Sequence, residues 1–162
     1  DTWLGVDANQ GFDTSSLEAL MPALVASKVQ LVEQPFPRGR ETELEHLRCP
    51  IPVAADESVQ GLAEIEPMVG LCDVVNIKLD KCGGLTEGLA MAAEARRLGL
   101  GVMVGNMVGT SLAMAPAWLL GQLCDIADLD GTLFITRDRD PAMVFADGRV
   151  FYPARGWGSP AA

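Results

Sequence analysis

Apolar segments rich in β-branched residues recur along the chain, and helical stretches separate most of them. The clearest segment is residues 74–79, which is followed by Gly83-Gly84 and by a helical stretch over residues 85–98. Six such segments are predicted as strands, at residues 3–6, 29–32, 51–55, 74–79, 101–104 and 125–127. Strands that alternate with helices are typical of a parallel sheet with right-handed crossovers. The chain is therefore predicted to have an α/β fold.

Helices are predicted between these strands. Ser15 and Glu18 form a capping-box pattern at the start of the first helix, and Pro116 is expected to kink or divide the last one. Residues 132–162 show no clear period. The predicted helices cover residues 15–28, 41–47, 61–69, 85–98 and 111–123.

A charged residue stands where each of the first four strands ends. Asp7 is followed after 26 residues by Glu33, and after a further 23 residues by Asp56. Lys78 comes 22 residues later. In α/β folds functional residues gather at the carboxyl ends of the strands, and in a barrel those ends surround one pocket. The spacing therefore predicts that three acids and a lysine share one site.

Asp7, Glu33 and Asp56 are candidate ligands for Mg²⁺. Three carboxylates around one point repel one another unless a cation lies between them, and oxygen ligands on rigid strands suit Mg²⁺. Lys78 would lie near the metal, where repulsion and partial burial are expected to lower its pKa, so that it could act as a general base. The metal would stabilise the negative charge that develops when a proton leaves the carbon beside a carboxylate.

The residues next to these candidates are given structural roles. Glu57 follows Asp56 directly and is expected to face the opposite side of its strand. If the strand continues beyond Lys78, Lys81 is expected on the opposite face from Lys78, where it could pair with an acid on a neighbouring strand end such as Glu57. Gly83-Gly84 could cradle a phosphate ahead of a helix, but more often such glycines only turn the chain.

Composition and charge argue against several classes of protein. The net charge of −10 opposes binding to nucleic acid, which depends on basic patches, and favours cationic partners. No uncharged apolar run reaches the roughly 18 residues that span a membrane, and no signal peptide opens the sequence. Four dispersed cysteines and one histidine offer no disulfide framework, zinc site or Ser–His pair. A soluble cytoplasmic protein is expected.

Four motifs occur in order along the chain: Asp7-Ala8-Asn9, Glu33-Gln34-Pro35, Asp56-Glu57-Ser58 and NIKLDKCGG at residues 76–84. Together they resemble the enolase superfamily, and more narrowly its muconate-lactonizing subgroup. A fifth motif, Asp128-Leu129-Asp130-Gly131, resembles the one with which dipeptide epimerases of this subgroup, such as the L-Ala-D/L-Glu epimerases, hold the α-ammonium group of the substrate. The resemblance implies Mg²⁺ ligands Asp7, Glu33 and Asp56, an acid/base residue Lys78, ammonium-binding residues Asp128 and Asp130, and pocket-lining residues Asn106 and Met107.

The motif at residues 128–131 has a second interpretation. Asp-x-Asp-Gly is common in turns, where aspartate makes local hydrogen bonds and glycine supplies a positive φ. Because the motif follows a predicted strand beside the other candidates, the ammonium site is favoured.

The resemblance also implies that part of the fold lies outside these residues. Members of the superfamily have eight barrel strands and a capping domain, whereas about six strands are predicted here. Residues 1–131 are expected to form the C-terminal part of a (β/α)8 TIM-like barrel, and residues 132–162 a tail that packs on the barrel or the capping domain. A second catalytic lysine, in a K-x-K motif, would belong to the missing N-terminal part. The open barrel would expose two sheet edges, so a homo-oligomer or a partner that completes the barrel is expected.

The reaction that the resemblance implies is Mg²⁺-dependent epimerisation of a dipeptide such as L-Ala-D/L-Glu, by 1,1-proton transfer through a metal-stabilised enolate. Cycloisomerase, o-succinylbenzoate synthase and N-acylamino acid racemase reactions use the same chemistry and stay open. A non-enzymatic acidic module that binds divalent metal is a third interpretation. An isolated fragment without the second lysine is expected to be inactive.

Overall fold

Six parallel strands form one sheet in the order in which they occur along the chain. The structure is a computed structural model that describes residues 2–47 and 49–153. The strands are β1 (Gly5–Asp7), β2 (Leu31–Glu33), β3 (Val53–Ala55), β4 (Val74–Lys78), β5 (Gly101–Gly105) and β6 (Ile126–Ala127). Every neighbouring pair is parallel. The predicted parallel α/β sheet is thus confirmed.

Helices and shorter 3-10 segments connect the strands. The α-helices are α1 (Thr14–Ala26), α2 (Leu79–Cys82), α3 (Leu85–Arg97) and α4 (Ser111–Gly121). The helix predicted over residues 61–69 is instead two 3-10 segments, Leu62–Glu64 and Glu66–Met68. Pro67 lies in the second segment and has no N–H to donate to a longer α-helix. Within the described ranges, no helix combines the length and apolarity needed to cross a membrane.

One detail of the predicted helices was wrong. Asp13, rather than Ser15, caps α1: Asp13 Oδ1 accepts from Ser16 N at 2.8 Å, and Ser16 Oγ accepts from Asp13 N at 3.0 Å. Pro116 lies inside α4 without dividing it. Ser16 occupies the third helical position that the capping pattern usually gives to Glu or Gln, so the same reciprocal bonds form with a different residue type.

The alternation of side chains along the strands gives the sheet two different faces. The helices cover one face and enclose the main core. On the other face Leu31, Ala54 and Met103 pack together. Glu33 comes two residues after Leu31 on β2, and Asn76 lies on β4, with β3 between these two strands, so polar side chains continue this inner face toward the carboxyl ends of the strands. The apolar cluster therefore forms a floor beneath those polar groups.

The chain after β6 packs against α4. It contains a 3-10 segment, Gly131–Phe134, and an antiparallel hairpin of β7 (Val144–Ala146) and β8 (Arg149–Phe151), which the sequence had not indicated. Trp118 of α4 stacks on Tyr152, with ring centroids 5.4 Å apart. The domain boundary at residue 131 stays a prediction, and residues 154–162 of the predicted tail lie outside the described residues.

Candidate active site at the carboxyl ends of the strands

The strand register brings the candidate residues to one edge of the sheet. Asp7 of β1 is paired with Glu33 of β2, and Glu33 is paired with Ala54 of β3, two residues before Asp56. Lys78 ends β4, the strand next to β3. The three acids and the lysine therefore stand at the ends of four neighbouring strands.

Glu33 is buried directly above the apolar floor, with 6% of the residue exposed. Its Oε1 accepts a hydrogen bond from Asn76 Nδ2 at 2.7 Å. Burial raises the pKa of Glu33 to about 7; the bond from Asn76 and the charge of Lys78 oppose this rise, and the charges of Asp56 and Asp7 add to it. Asp56 and Asp7 therefore both lie close enough to Glu33 for their charges to disfavour its ionised form.

Asp56 is shared by two lysines. Lys78 Nζ lies 2.6 Å from Asp56 Oδ2, while Lys81 Nζ binds Asp56 Oδ1 and, at 2.5 Å, the carbonyl oxygen of the same residue. The expectation that Lys81 faces away from Lys78 was wrong, because β4 ends at Lys78 and α2 turns Lys81 back to the same carboxylate. Glu57 makes no ion pair with Lys81 in the described part of the chain, where its buried Oε2 has no hydrogen-bond partner.

The two lysines differ in pKa. Burial acts to lower the pKa of Lys78, but the hydrogen bond and charge of Asp56, together with the charge of Glu33, leave it above its ordinary value. For Lys81 burial outweighs the attraction of Asp56, and its pKa lies below the ordinary value. The lowered pKa expected at Lys78 is therefore found at Lys81 in this arrangement. Lys78 is held as the charged partner of Asp56.

Gly105 leaves space for the side chains of Lys78 and Asn76. It is the register partner of Lys78 on β5. A Cβ at this position would lie 2.9 Å from Lys78 Cε and 3.0 Å from both Oδ1 and Nδ2 of Asn76. Any larger residue would therefore displace the lysine or the amide. Asn76 Oδ1 is buried and has no hydrogen-bond partner among residues 2–47 and 49–153.

Asp128 faces the acids across the open side of the sheet. It follows β6 and lines a cavity of about 480 Å³ together with Asp7 and Glu33. Burial raises the pKa of Asp128, and the charge of Asp130 raises it further. A cation bound between Asp128 and Asp130 would relieve this repulsion. The pair is thus suited to an ammonium group.

Asn106 and Met107 form the loop next to this motif. A Cβ on Gly131 would lie 2.5 Å from Asn106 Nδ2 and 2.5 Å from Met107 O, so the loop packs directly on the end of the motif. The Met107 amide donates to Asp80 Oδ2 at 3.3 Å, and half of Met107 is exposed. The structure therefore brings Asn106 and Met107 to the same edge as Asp128.

The donor set has the chemistry of a Mg²⁺ site but is not preassembled. Among the described residues, no three acidic, cysteine or histidine side chains form a group that could hold a metal ion. Asp56 is turned toward its lysines and Glu33 toward Asn76. Asp7, Glu33 and Asp56 nevertheless offer hard oxygen ligands from three adjacent strands, which is the ligand type that Mg²⁺ prefers. The residues fit the ion, provided that Asp56 rotates away from one lysine.

Two contacts of the site were missed in the sequence. Asn76 lies two residues before Lys78, so strand alternation places both on one face, and this signal was sufficient to suggest its contact with the acids. The buried side chain of Gln34 accepts a hydrogen bond from the Asp56 amide at 2.8 Å. A glutamine between Glu33 and Pro35 carries no signal of a partner 22 residues away.

Residues 1–159 match the family described as enolase C-terminal domain-like. The chain belongs to this family. Two curated relatives of this enolase-like chain are isomerases. An N-acetyl-D-glutamate racemase from Pseudoalteromonas is 44% identical over 145 residues, which cover 90% of this chain and 46% of the relative. The L-Ala-D/L-Glu epimerase of Escherichia coli is 40% identical over 150 residues, which cover 93% of this chain and 47% of the epimerase.

Solved structures support the same membership. An enolase family member from Agrobacterium tumefaciens with homology to dipeptide epimerases, bound to sodium and L-Ala-L-Glu, has a TM-score of 0.90 at 45% identity and covers 95% of this chain and 47% of its own. A dipeptide epimerase from Methylococcus capsulatus, complexed with Mg and L-Arg-D-Lys, has a TM-score of 0.81 at 33% identity. The match covers 92% of this chain and 45% of the epimerase. The enolase-like chain thus spans about half the length of these relatives. The predicted superfamily and the predicted C-terminal part of a TIM-like barrel are confirmed.

Proposed function

We propose that the protein to which this chain belongs is a Mg²⁺-dependent epimerase of dipeptides, with L-Ala-L-Glu as the first substrate to test. The observation that carries the proposal is the position of Lys78 beside three carboxylates from adjacent strands. The 40% identity to the E. coli epimerase supports the same reaction. Epimerisation removes the proton from the α-carbon of one residue of the dipeptide and returns a proton to its other face.

Asp7, Glu33 and Asp56 are assigned as the residues that hold Mg²⁺. When bound, the ion supplies positive charge that stabilises a substrate carboxylate while the neighbouring carbon gives up its proton. Lys78 removes or returns the proton at one face of that carbon. Its contact of 2.6 Å with Asp56 holds the ammonium at the metal-binding edge, and its raised pKa favours the form that donates a proton.

Asp128 and Asp130 are assigned to the α-ammonium group of the dipeptide. Burial and, to a smaller extent, the nearby charge of Asp130 raise the pKa of Asp128, and a positively charged group would offset both effects. Asn106 and Met107 would line the adjacent wall. A substrate held in this way presents its amino terminus to β6 and its reacting carbon to Lys78.

The other face of the substrate requires a residue that lies outside residues 1–162. A single lysine fixed on β4 cannot cross the plane of the reacting carbon, and the relatives are about twice as long as the matched region. We therefore propose that a second lysine comes from an N-terminal segment that completes the barrel, in the same chain or in trans.

The free edges of the sheet also favour a homo-oligomer. The four cysteines are free thiols, as in a reducing cytoplasm.

Racemisation of an N-acylated amino acid is the second candidate reaction. The 44% identity to an N-acetyl-D-glutamate racemase favours it. Its substrate has no ammonium group, so it would gain nothing from the charges of Asp128 and Asp130. The two substrates therefore separate the two reactions.

The test is to incubate the natural gene product with Mg²⁺ and L-Ala-L-Glu in D₂O and to follow α-deuteration and the second epimer by NMR, with N-acetyl-glutamate in a parallel sample. Asp128→Asn is expected to reduce turnover of the dipeptide and to spare turnover of the N-acylated substrate. Addition of EDTA is expected to stop both reactions. Wild-type protein that exchanges the α-proton of neither substrate would refute the proposal.

A further inference from the structure

Gln34 has a buried side chain whose hydrogen-bonding capacity is fully used. It is 3% exposed and directly follows Glu33. Its Oε1 accepts from the amides of Asp56 at 2.8 Å and Ser58 at 3.2 Å. Its Nε2 donates at 2.8 Å to both Phe36 O and Ser58 Oγ. A primary amide offers two acceptor positions and two donor hydrogens, so none is left for another partner.

The backbone of Gln34 bonds to the same part of the molecule. Its amide donates to Ala54 O at 2.8 Å, and its carbonyl accepts from Gln10 N at 2.7 Å. Ala54 lies two residues before Asp56, and Gln10 lies three residues after Asp7. Through one residue, the chain thus links the ends of the three strands that carry the acids.

The conformation of Gln34 is also unusual. Its φ of 37° lies in the left-handed region, which residues other than glycine adopt rarely and at a cost in free energy. Such a conformation persists where the surrounding contacts determine it. In this conformation the side chain of Gln34 reaches Asp56, the first residue of the loop after β3.

We propose that Gln34 is a positioning residue that fixes the backbone of Asp56 relative to Glu33 and so sets the spacing of the carboxylates that bind Mg²⁺. The inference rests on the metal site of the proposed function. A glutamate at this position has nearly the same shape and keeps an oxygen for the Asp56 amide. It loses both donated hydrogen bonds, however, and places an oxygen against the carbonyl of Phe36.

The experiment compares Gln34→Glu with wild type in the natural gene product. Titration calorimetry with Mg²⁺ and no substrate is expected to show a Kd raised by about 10- to 100-fold, the usual effect of losing a residue that orients metal ligands. Without metal, the amide of Asp56 is expected to exchange its hydrogen faster. Gln30→Glu, an identical change at an exposed position ahead of β2, is the matched control and is expected to change neither quantity.

Unchanged Mg²⁺ affinity and unchanged exchange at Asp56 in Gln34→Glu would overturn the inference, even if the variant melted at a lower temperature. If that variant does not fold, Ser58→Ala decides instead. It removes one partner of Nε2 but leaves the bond to Asp56, so a loss of affinity below about tenfold is expected, and no loss contradicts the inference. A wild-type protein that binds no Mg²⁺ would refute the proposed function, and it would overturn this inference as well.

Discussion

Replacing Glu33 by glutamine is expected to stabilise the protein increasingly as the pH rises from about 4.5 to about 7. The pKa of Glu33 is about 7 in the folded chain, against an ordinary value of 4.5. Between these values the folded state binds more protons than the unfolded state, so the free energy of unfolding falls as the pH rises. The difference between the two pKa values corresponds to a loss of about 3 kcal/mol in the free energy of unfolding, at about 1.4 kcal/mol per pH unit. Above about pH 7 Glu33 is ionised in both the folded and the unfolded state, and this loss of stability is complete.

Gln at position 33 would keep an oxygen for Asn76 Nδ2 and would not titrate. Urea unfolding followed by tryptophan fluorescence, in EDTA, measures both proteins at about pH 5 and about pH 8. The free energy of unfolding of the variant, relative to that of wild type, is expected to rise by about 2.5 kcal/mol between the two pH values. Glu45→Gln, at an exposed position, is the control. An advantage that does not change with pH would show that Lys78 and Lys81 already neutralise the buried carboxylate, and the argument from burial would be wrong.

Three further predictions concern the lysine, the glycine beside it and the cap of α4. Lys78→Ala should abolish deuterium exchange at one face of the substrate without weakening Mg²⁺ binding in calorimetry, because Lys78 is not a metal ligand and in this structure binds the ligand Asp56 itself. Exchange of both epimers would contradict this. Gly105→Ala should lower kcat by about 10- to 100-fold through displacement of Lys78, whereas Gly121→Ala, where a Cβ meets only ordinary contacts of 3.4 Å or more, should not. Asp138→Ala should lower the free energy of unfolding in urea by about 1 kcal/mol, because Asp138 Oδ1 accepts a hydrogen bond from the Ser111 amide at the start of α4. An unchanged urea midpoint would contradict this prediction.

The strands and the acids at their ends were predictable because both follow from local pattern. Each strand is an apolar run, and Asp7, Glu33 and Asp56 end or follow such runs. The direction of Lys81 was not predictable in the same way. The apolar alternation continues to Leu79, where the predicted strand ends, whereas in the structure β4 ends at Lys78 and α2 begins at Leu79. Because the strand ends at Lys78 and a helix follows, Lys81 binds Asp56 and does not lie on the opposite face of the sheet.

The hairpin near the end of the chain was missed although its turn has a sequence signal. Asp147 and Gly148 have φ values of 51° and 69°, as in the type I′ turns that Asp-Gly favours between short strands. β7 and β8 are only three residues each, which is too short for an alternating pattern to stand out. The contacts of Gln34 had no such signal, because hydrogen bonds between distant loops depend on the completed sheet.

The order of the strands in the sheet has a consequence for how the chain folds. Neighbouring strands are parallel, so each pair is joined by a crossover rather than by a tight turn. Asp7, Glu33 and Asp56 are separated by 26 and 23 residues, and they meet only after both intervening loops have closed. The three acids therefore come together only when the long-range strand pairing is complete, and not when the helices alone have formed. An ion bound there would stabilise the native state and leave earlier, partly paired chains almost unaffected.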